Sequence, residues 1–265
     1  MFASWMVNTW EAGTLVAIVA GVVGFFTVLR GSAFAAHAIP KSAFAGVAGA
    51  SLVGASAIGG LAAFAVGGAL LISVLGRKAG RDVATALAIV VMLGLGDLFI
   101  TRTSEYAPVL YGDLFGDILG VSRGEMGPIV LIGALSILVV LFIYRPLMVS
   151  SVLPEVAESG GISGARLDAI FLVAVALVTA MAVPVVGALL IFSLLISPAA
   201  AASCFTSRPL FAMLLSVLIA LGTVWTAIAL SFLWDLPVGF IVGSLGAVVY
   251  SAGRLWSGRA SLLRQ

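Results

Sequence analysis

Few residues in this chain are suited to chemistry, and those few sit among apolar neighbours. His37 and Lys41 are four residues apart, so on a helix they share one face. A neutral imidazole ligates Zn²⁺ or Mn²⁺. A protonated lysine beside it repels the same ion. Pro40, between the two, opens the backbone and frees carbonyl groups. Ionisable groups inside a membrane span are costly and usually functional, which makes the pair a polar station on a translocation path. The plainer alternative is an interfacial position, with Lys41 snorkelling to the headgroups and His37 packing or capping. Asp97 follows Gly94 and Gly96 near the end of another apolar stretch. It either helps admit a cation or pairs with Arg102 at the interface. His37 and Asp97 are thus the candidate metal ligands.

Two polar intervals offer further chemistry. Thr101 to Met126 carries Glu105, Asp113, Asp117 and Glu125 against Arg102 and Arg123. Asp113 and Asp117 would form an acidic outer vestibule that concentrates cations. The alternative is a solvated loop with helix caps. Asp235, between Trp234 and Leu236, reads as a tight interfacial turn. The second interval, Leu147–Arg166, holds Pro154, Glu155, Ala157 and Gly160. Proline fits the first turn of a helix, a glutamate favours its N-terminus, and a glycine stops it. The expected result is a helix of about two turns with an apolar side of Val152, Val156 and Ala157. Such a helix either seats a partner protein or merely connects its neighbours.

These residues need elements to position them, and composition says which. Of 265 residues, 62% are hydrophobic and 9% are charged, and mean hydropathy is +1.26. A soluble domain carries roughly 25% charged residues, so this chain has too little charge for a water-facing surface. That excludes a soluble enzyme, a nucleic-acid binder, a disordered chain and a disulfide-rich secreted scaffold. The expected solvent is the lipid bilayer. The 13 Lys+Arg and 11 Asp+Glu nearly cancel, so the net charge of +2 implies no anionic partner. One cysteine, Cys204, forbids an intrachain disulfide, and Cys/His metal motifs are absent. No basic residue precedes Arg30, which argues against a signal peptide and for a mature N-terminus. No G-x-x-x-x-G-K-[ST] loop is present, so ATP hydrolysis and nucleotide cofactors are not expected in this chain.

A membrane helix needs about 20 apolar residues. The charges punctuate such stretches at Ala12–Leu29, Ala33–Gly54, Ala55–Leu75, Val83–Ile100, Gly127–Tyr144, Pro209–Leu233 and Leu236–Gly253. Ala33–Gly54 contains His37, Pro40 and Lys41, and reads as a broken or partly buried span. The uncharged run Ala169–Ser207 is roughly twice one crossing, with a bend expected near Pro184 and Gly187. The expected fold is all-α: a single polytopic transmembrane bundle over residues 1–265 with eight or nine spans. Nine spans put Arg30, Arg77, Lys78, Arg81, Arg145, Arg166, Arg208, Arg254, Arg259 and Arg264 on one side. The positive-inside rule makes that side cytoplasmic, with the N-terminus outside and the C-terminus inside. Glycine, 31 residues in all, marks helix faces that pack closely in lipid. Gly59, Gly60, Gly67 and Gly68 lie in one span, and Gly239 and Gly243 form a G-x-x-x-G pair.

Several segments carry a family resemblance. Val186–Ala202, including Gly187, Ser193, Ser197 and Pro198, resembles the "VGALLVSALLIIPAATA" segment of bacterial zinc/manganese ABC permeases of the ABC-3 family. Leu114–Ser122 resembles that family's "LFGDILAVS", and Asp235–Gly239 its "DLPTG". Tyr144–Leu147 with Glu155, Ala157 and Gly160 resembles its cytoplasmic coupling helix, which lies within about residues 146–167. The segments run in order from about Gly24 to Arg254. One stretch departs. The family often has "LGDALSH" at the start of its second span, and here His37 stands at the Asp position and Lys41 at the His position. The chain thus resembles a divergent member.

The resemblance implies a permease subunit of a bacterial ABC importer in the inner (plasma) membrane. A divalent transition metal (zinc, manganese or iron) would enter the cytoplasm by alternating access. ABC ATPase subunits would dock on the coupling helices of a permease homodimer, and an extracellular or periplasmic metal-binding protein would dock outside. The chain itself would be no enzyme and would hold no cofactor. The alternatives are an ABC permease for a metal chelate or other small solute, and an ion-coupled secondary transporter using Asp97 and His37. The second usually shows inverted repeats, and no convincing pair is visible here.

Overall fold

The computed structural model describes residues 6–102, 118–188 and 190–262. Among these residues the regular structure is helical. The helices are α1 Val7–Leu29, α2 Ala33–Val53, α3 Ala57–Ala79, α4 Arg81–Ile100, α5 Arg123–Phe142, α6 Tyr144–Val152, α7 Pro154–Ser159, α8 Gly164–Val186, α9 Ile191–Phe205, α10 Pro209–Trp234 and α11 Val238–Leu262. A 3₁₀ turn at Ile118–Gly120 precedes α5.

Among the described residues seven helices are long and apolar enough to cross a bilayer: α1, α3, α4, α5, α8, α10 and α11. The other two expected spans are α2 and α9. Helix α2 has 21 residues but includes His37, Pro40 and Lys41. Helix α9 has 15 residues, which is about 22 Å, short of the ~30 Å hydrocarbon layer. The long uncharged run therefore divides unequally. Pro184 sits within the last turn of α8, and the break comes at Gly187, whose φ of +92° stops the helix in a conformation most side chains avoid. Helix α10 ends at Asp235, a left-handed residue (φ +54°), giving the tight turn expected there.

Local chemistry sets other boundaries. The Glu125 carboxylate accepts from the backbone N–H and hydroxyl of Ser122 (2.8 and 2.9 Å), which caps α5. The short helix α7 starts at Pro154 and ends at Gly160, as its residues predict. The helix α6 before it is not announced by the polar interval, where the expected helix begins at Pro154; α6 starts at Tyr144, ahead of Arg145 and Pro146. Both sit in its first turn, where a proline does no harm.

The bundle is layered around two helices. In α1 and α8, 67% and 72% of the membrane-length window is buried, against 22% in α5. The outer helices expose Leu131, Phe142, Val74 and Val90, as a lipid-facing surface should. Close approach depends on glycine. A side chain at Gly24 of α1 would strike the backbone carbonyl of Leu195 in α9. Gly46 of α2 and Gly60 of α3 each face the carbonyl oxygen of the other, so these helices touch backbone to backbone. Gly68 meets Ser42, while Gly67 faces open space. In α11, Gly239 packs on Leu190 but a side chain at Gly243 would meet nothing, so the G-x-x-x-G spacing does not act as a paired contact among the described residues.

Candidate functional site

His37 lies one turn into α2, and Lys41 follows on the next turn, as their spacing requires. The Lys41 Nζ is 2.9 Å from His37 Nε2. An ammonium only donates, so this imidazole nitrogen accepts and its lone pair is engaged. The ring meets Phe192 of α9 edge-on, with centroids 4.7 Å apart. Ser193 and Ser197 follow Phe192 on α9, their hydroxyls 3.3 Å apart, with Gly246 of α11 against them. The Ser42 hydroxyl, next to Lys41 in sequence, is buried without a hydrogen-bond partner among the described residues. The contact where α2 meets α9 is thus a cation, an imidazole and an aromatic ring, while the Ser193 and Ser197 hydroxyls face α11 and the Ser42 hydroxyl faces Gly68 of α3. It can receive an anionic or hydrogen-bonding group at once. It can ligate a metal through Nε2 only if Lys41 swings away.

Asp97 does not join this centre. Its neighbour Gly96 packs against Phe44 and Ala45 of α2, which fixes the level of α4 relative to α2. Ala45 is eight residues beyond His37, or about 12 Å along the helix. Asp97 itself is exposed, and no ion pair links it to Arg102 among the described residues. No group of three or more His, Cys, Asp or Glu that could hold a metal occurs among them either. Asp113 and Asp117 lie outside the described residues.

A second polar centre forms at one end of the bundle, where the sequence offered only charges that end helices. Arg30, the cap residue of α1, reaches Asp168 at the start of α8 and the hydroxyls of Ser150 and Ser151 in α6 (2.8 and 3.0 Å). Asp168 also pairs with Arg81 at the start of α4. A cleft of about 310 Å³ opens beside it, with Ser73, Arg77, Arg81 and Asp168 on its wall. The Arg30–Asp168 pair is 138 residues apart and carries no periodic signal. The one clue was that Arg30 is the first basic residue of the chain.

Helix α7 stands at the same end, between Ser151 and Asp168. Its Pro154, Glu155, Val156 and Glu158 are exposed, and only Ala157 is buried. The expected apolar side is therefore divided. Val152, Leu153 and Val156 face outward, each more than half exposed, while Ala157 turns inward.

Comparison with known proteins agrees with this architecture. Over 98% of its length the chain is 28% identical to the manganese transport system membrane protein MntC of Halalkalibacterium halodurans, covering 90% of it. It is 31% identical to the manganese import system permease protein ScaB of Streptococcus parasanguinis, over 76% of this chain and 72% of that one. Among solved structures, PsaBC from Streptococcus pneumoniae in complex with Fab superposes with a TM-score of 0.85 at 24% identity, covering 95% of this chain and 91% of that one. An inward-facing putative metal-chelate type ABC transporter gives 0.72 at 16% identity, covering 92% and 84%. Residues 3–254 match the ABC 3 transport family, and the chain belongs to it.

Proposed function

We propose that this chain is the membrane-spanning permease subunit of an ABC importer for a divalent transition metal: zinc, manganese or iron. The observation that carries this is the exposed helix α7 at the arginine-bearing end of a bundle belonging to the ABC 3 transport family. The positive-inside rule places that end in the cytoplasm, with the N-terminus outside and the C-terminus inside. Pro154, Glu155, Ala157 and Gly160 then shape a coupling helix for a separate ATPase subunit. A second permease copy completes the pathway, and a metal-binding protein delivers cargo from outside. The assembly resides in the bacterial plasma membrane, and the chain itself contributes no catalytic residue. The manganese and zinc systems named among its relatives support the cargo class.

Deleting Pro154–Gly160, or Glu155→Arg, is expected to release the ATPase during purification and abolish uptake. Retained assembly and transport would sink the coupling role. Uptake of Zn²⁺, Mn²⁺ and Fe²⁺, each offered to a strain lacking the gene and to the complemented strain, identifies the metal.

The Lys41–His37 contact favours a second reading, in which the metal travels as an anionic complex. An ammonium on the imidazole nitrogen opposes a bare dication and attracts a carboxylate. Uptake of labelled Zn²⁺ or Mn²⁺ is then expected to persist with excess citrate and to fall in Lys41→Gln. Abolition of wild-type uptake by citrate favours the bare ion.

A further inference from the structure

The segment that bears α7 is fastened at both of its ends to one side chain. Arg30 ends α1 and is 8% exposed. Its Nη1 donates to Ser150 and Ser151, just before α7. Its Nη2 donates to Asp168, in the second turn of α8, the helix that follows α7. Both serine hydroxyls donate in turn to the Leu147 carbonyl (3.1 and 2.6 Å), leaving their lone pairs for the arginine. The guanidinium also lies 5.9 Å from the Phe171 ring of α8. Asp168 passes the connection on to Arg81 of α4. A planar fork can hold two separated partners at once, and a lysine cannot.

We propose that Arg30 is a positioning residue that transmits movement of α7 to the core helix α1 and, through Asp168 and Arg81, to α4. The physical reason is geometric. A loop pinned at both ends to one rigid group cannot shift without taking that group along. The group here terminates a helix whose membrane-length window is 67% buried, so displacement at the surface reaches the centre of the bundle. A chain without this link would let α7 rock on its flanking residues while α1 stayed in place. This inference rests on the reading of α7 as the seat of the ATPase.

The experiment uses the whole transporter in liposomes, with its ATPase subunits and binding protein. ATP hydrolysis and labelled Mn²⁺ or Zn²⁺ uptake are measured in the same preparation. Arg30→Met is expected to keep the ATPase bound and hydrolysis within about twofold, while metal moved per ATP falls about tenfold. Arg30→Lys keeps the charge without the fork, and the double variant Ser150→Ala/Ser151→Ala keeps the fork without its serine partners, so each should lose about threefold. A merely structural role lowers hydrolysis and uptake together and leaves their ratio at the wild-type value, which overturns the proposal. If Arg30→Met does not assemble, the double serine variant decides by the same ratio. Failure of the underlying reading looks different, because the complex would then survive deletion of α7.

Discussion

The two polar centres of the bundle hold their charges in opposite ways. At the end of α1, the buried Arg30 faces the carboxylate of Asp168 and two serine hydroxyls, and Arg81 shares the same carboxylate. At the start of α2, the Lys41 ammonium faces an imidazole, and no carboxylate pairs with it among the described residues. The first arrangement pairs its charge with a carboxylate, though the buried Arg30 Nε has no hydrogen-bond partner among the described residues, and it ties α1, α4, α6 and α8 together. The second leaves its charge with a neutral partner, and so leaves it available to something that passes. In a medium where unpaired charge is expensive, that difference separates a charge held by a counter-ion from one that has none among the described residues.

The largest effect should come from breaking the fastening. Asp168→Ala removes the only carboxylate facing Arg30 among the described residues and leaves a guanidinium 8% exposed without its counter-ion. A loss of about 3 kcal/mol is expected, read as a lower midpoint of thermal unfolding in detergent. Lys41→Met should cost less than ~1 kcal/mol in the same assay, because it orphans no charge. It should nevertheless change which form of metal is taken up. Equal destabilisation by the two substitutions would erase the distinction drawn between the centres. The smallest effect belongs to Arg81→Gln. Arg81 is 43% exposed, so its pairing with Asp168 is worth under ~1 kcal/mol and should fade further in high salt. An Arg81→Gln loss as large as that of Asp168→Ala would mean that the outer arginine, not the buried one, holds the network.

The sequence made the His37–Lys41 centre visible and hid the Arg30–Asp168 centre, for a physical reason. His37 and Lys41 lie within one turn of each other, and helical periodicity predicts their contact directly. Arg30, Ser150, Ser151 and Asp168 meet only because α1, α6 and α8 pack, and no local rule links residues so distant in the chain. Arg30 and Asp168 were therefore legible only as marks at the ends of apolar runs. The spans behaved similarly. Long uninterrupted runs such as those of α1, α8 and α10 were plain. The bend expected near Pro184 and Gly187 comes at Gly187, but the shortness of the 15-residue α9 was not legible, since nothing charged stands between Ala169 and Ser207. Helix α6 was missed because its arginine and proline suit a loop as well as a first turn. Pro154 and Gly160, by contrast, bound α7 through backbone constraints that act locally, and both positions hold.

The contact between Gly46 and Gly60 has a consequence for how this chain can vary. Each glycine faces the other helix's carbonyl oxygen, so even a methyl group at either position meets backbone, which no rotamer change can move aside. A saturation library selected for metal uptake should return these two positions almost unmutated. The same library should accept nearly any apolar residue at Val53, Leu131 or Phe142, which are 77%, 71% and 90% exposed. The freedom of the sequence to drift is thus greatest where it meets lipid, and it vanishes where two main chains meet.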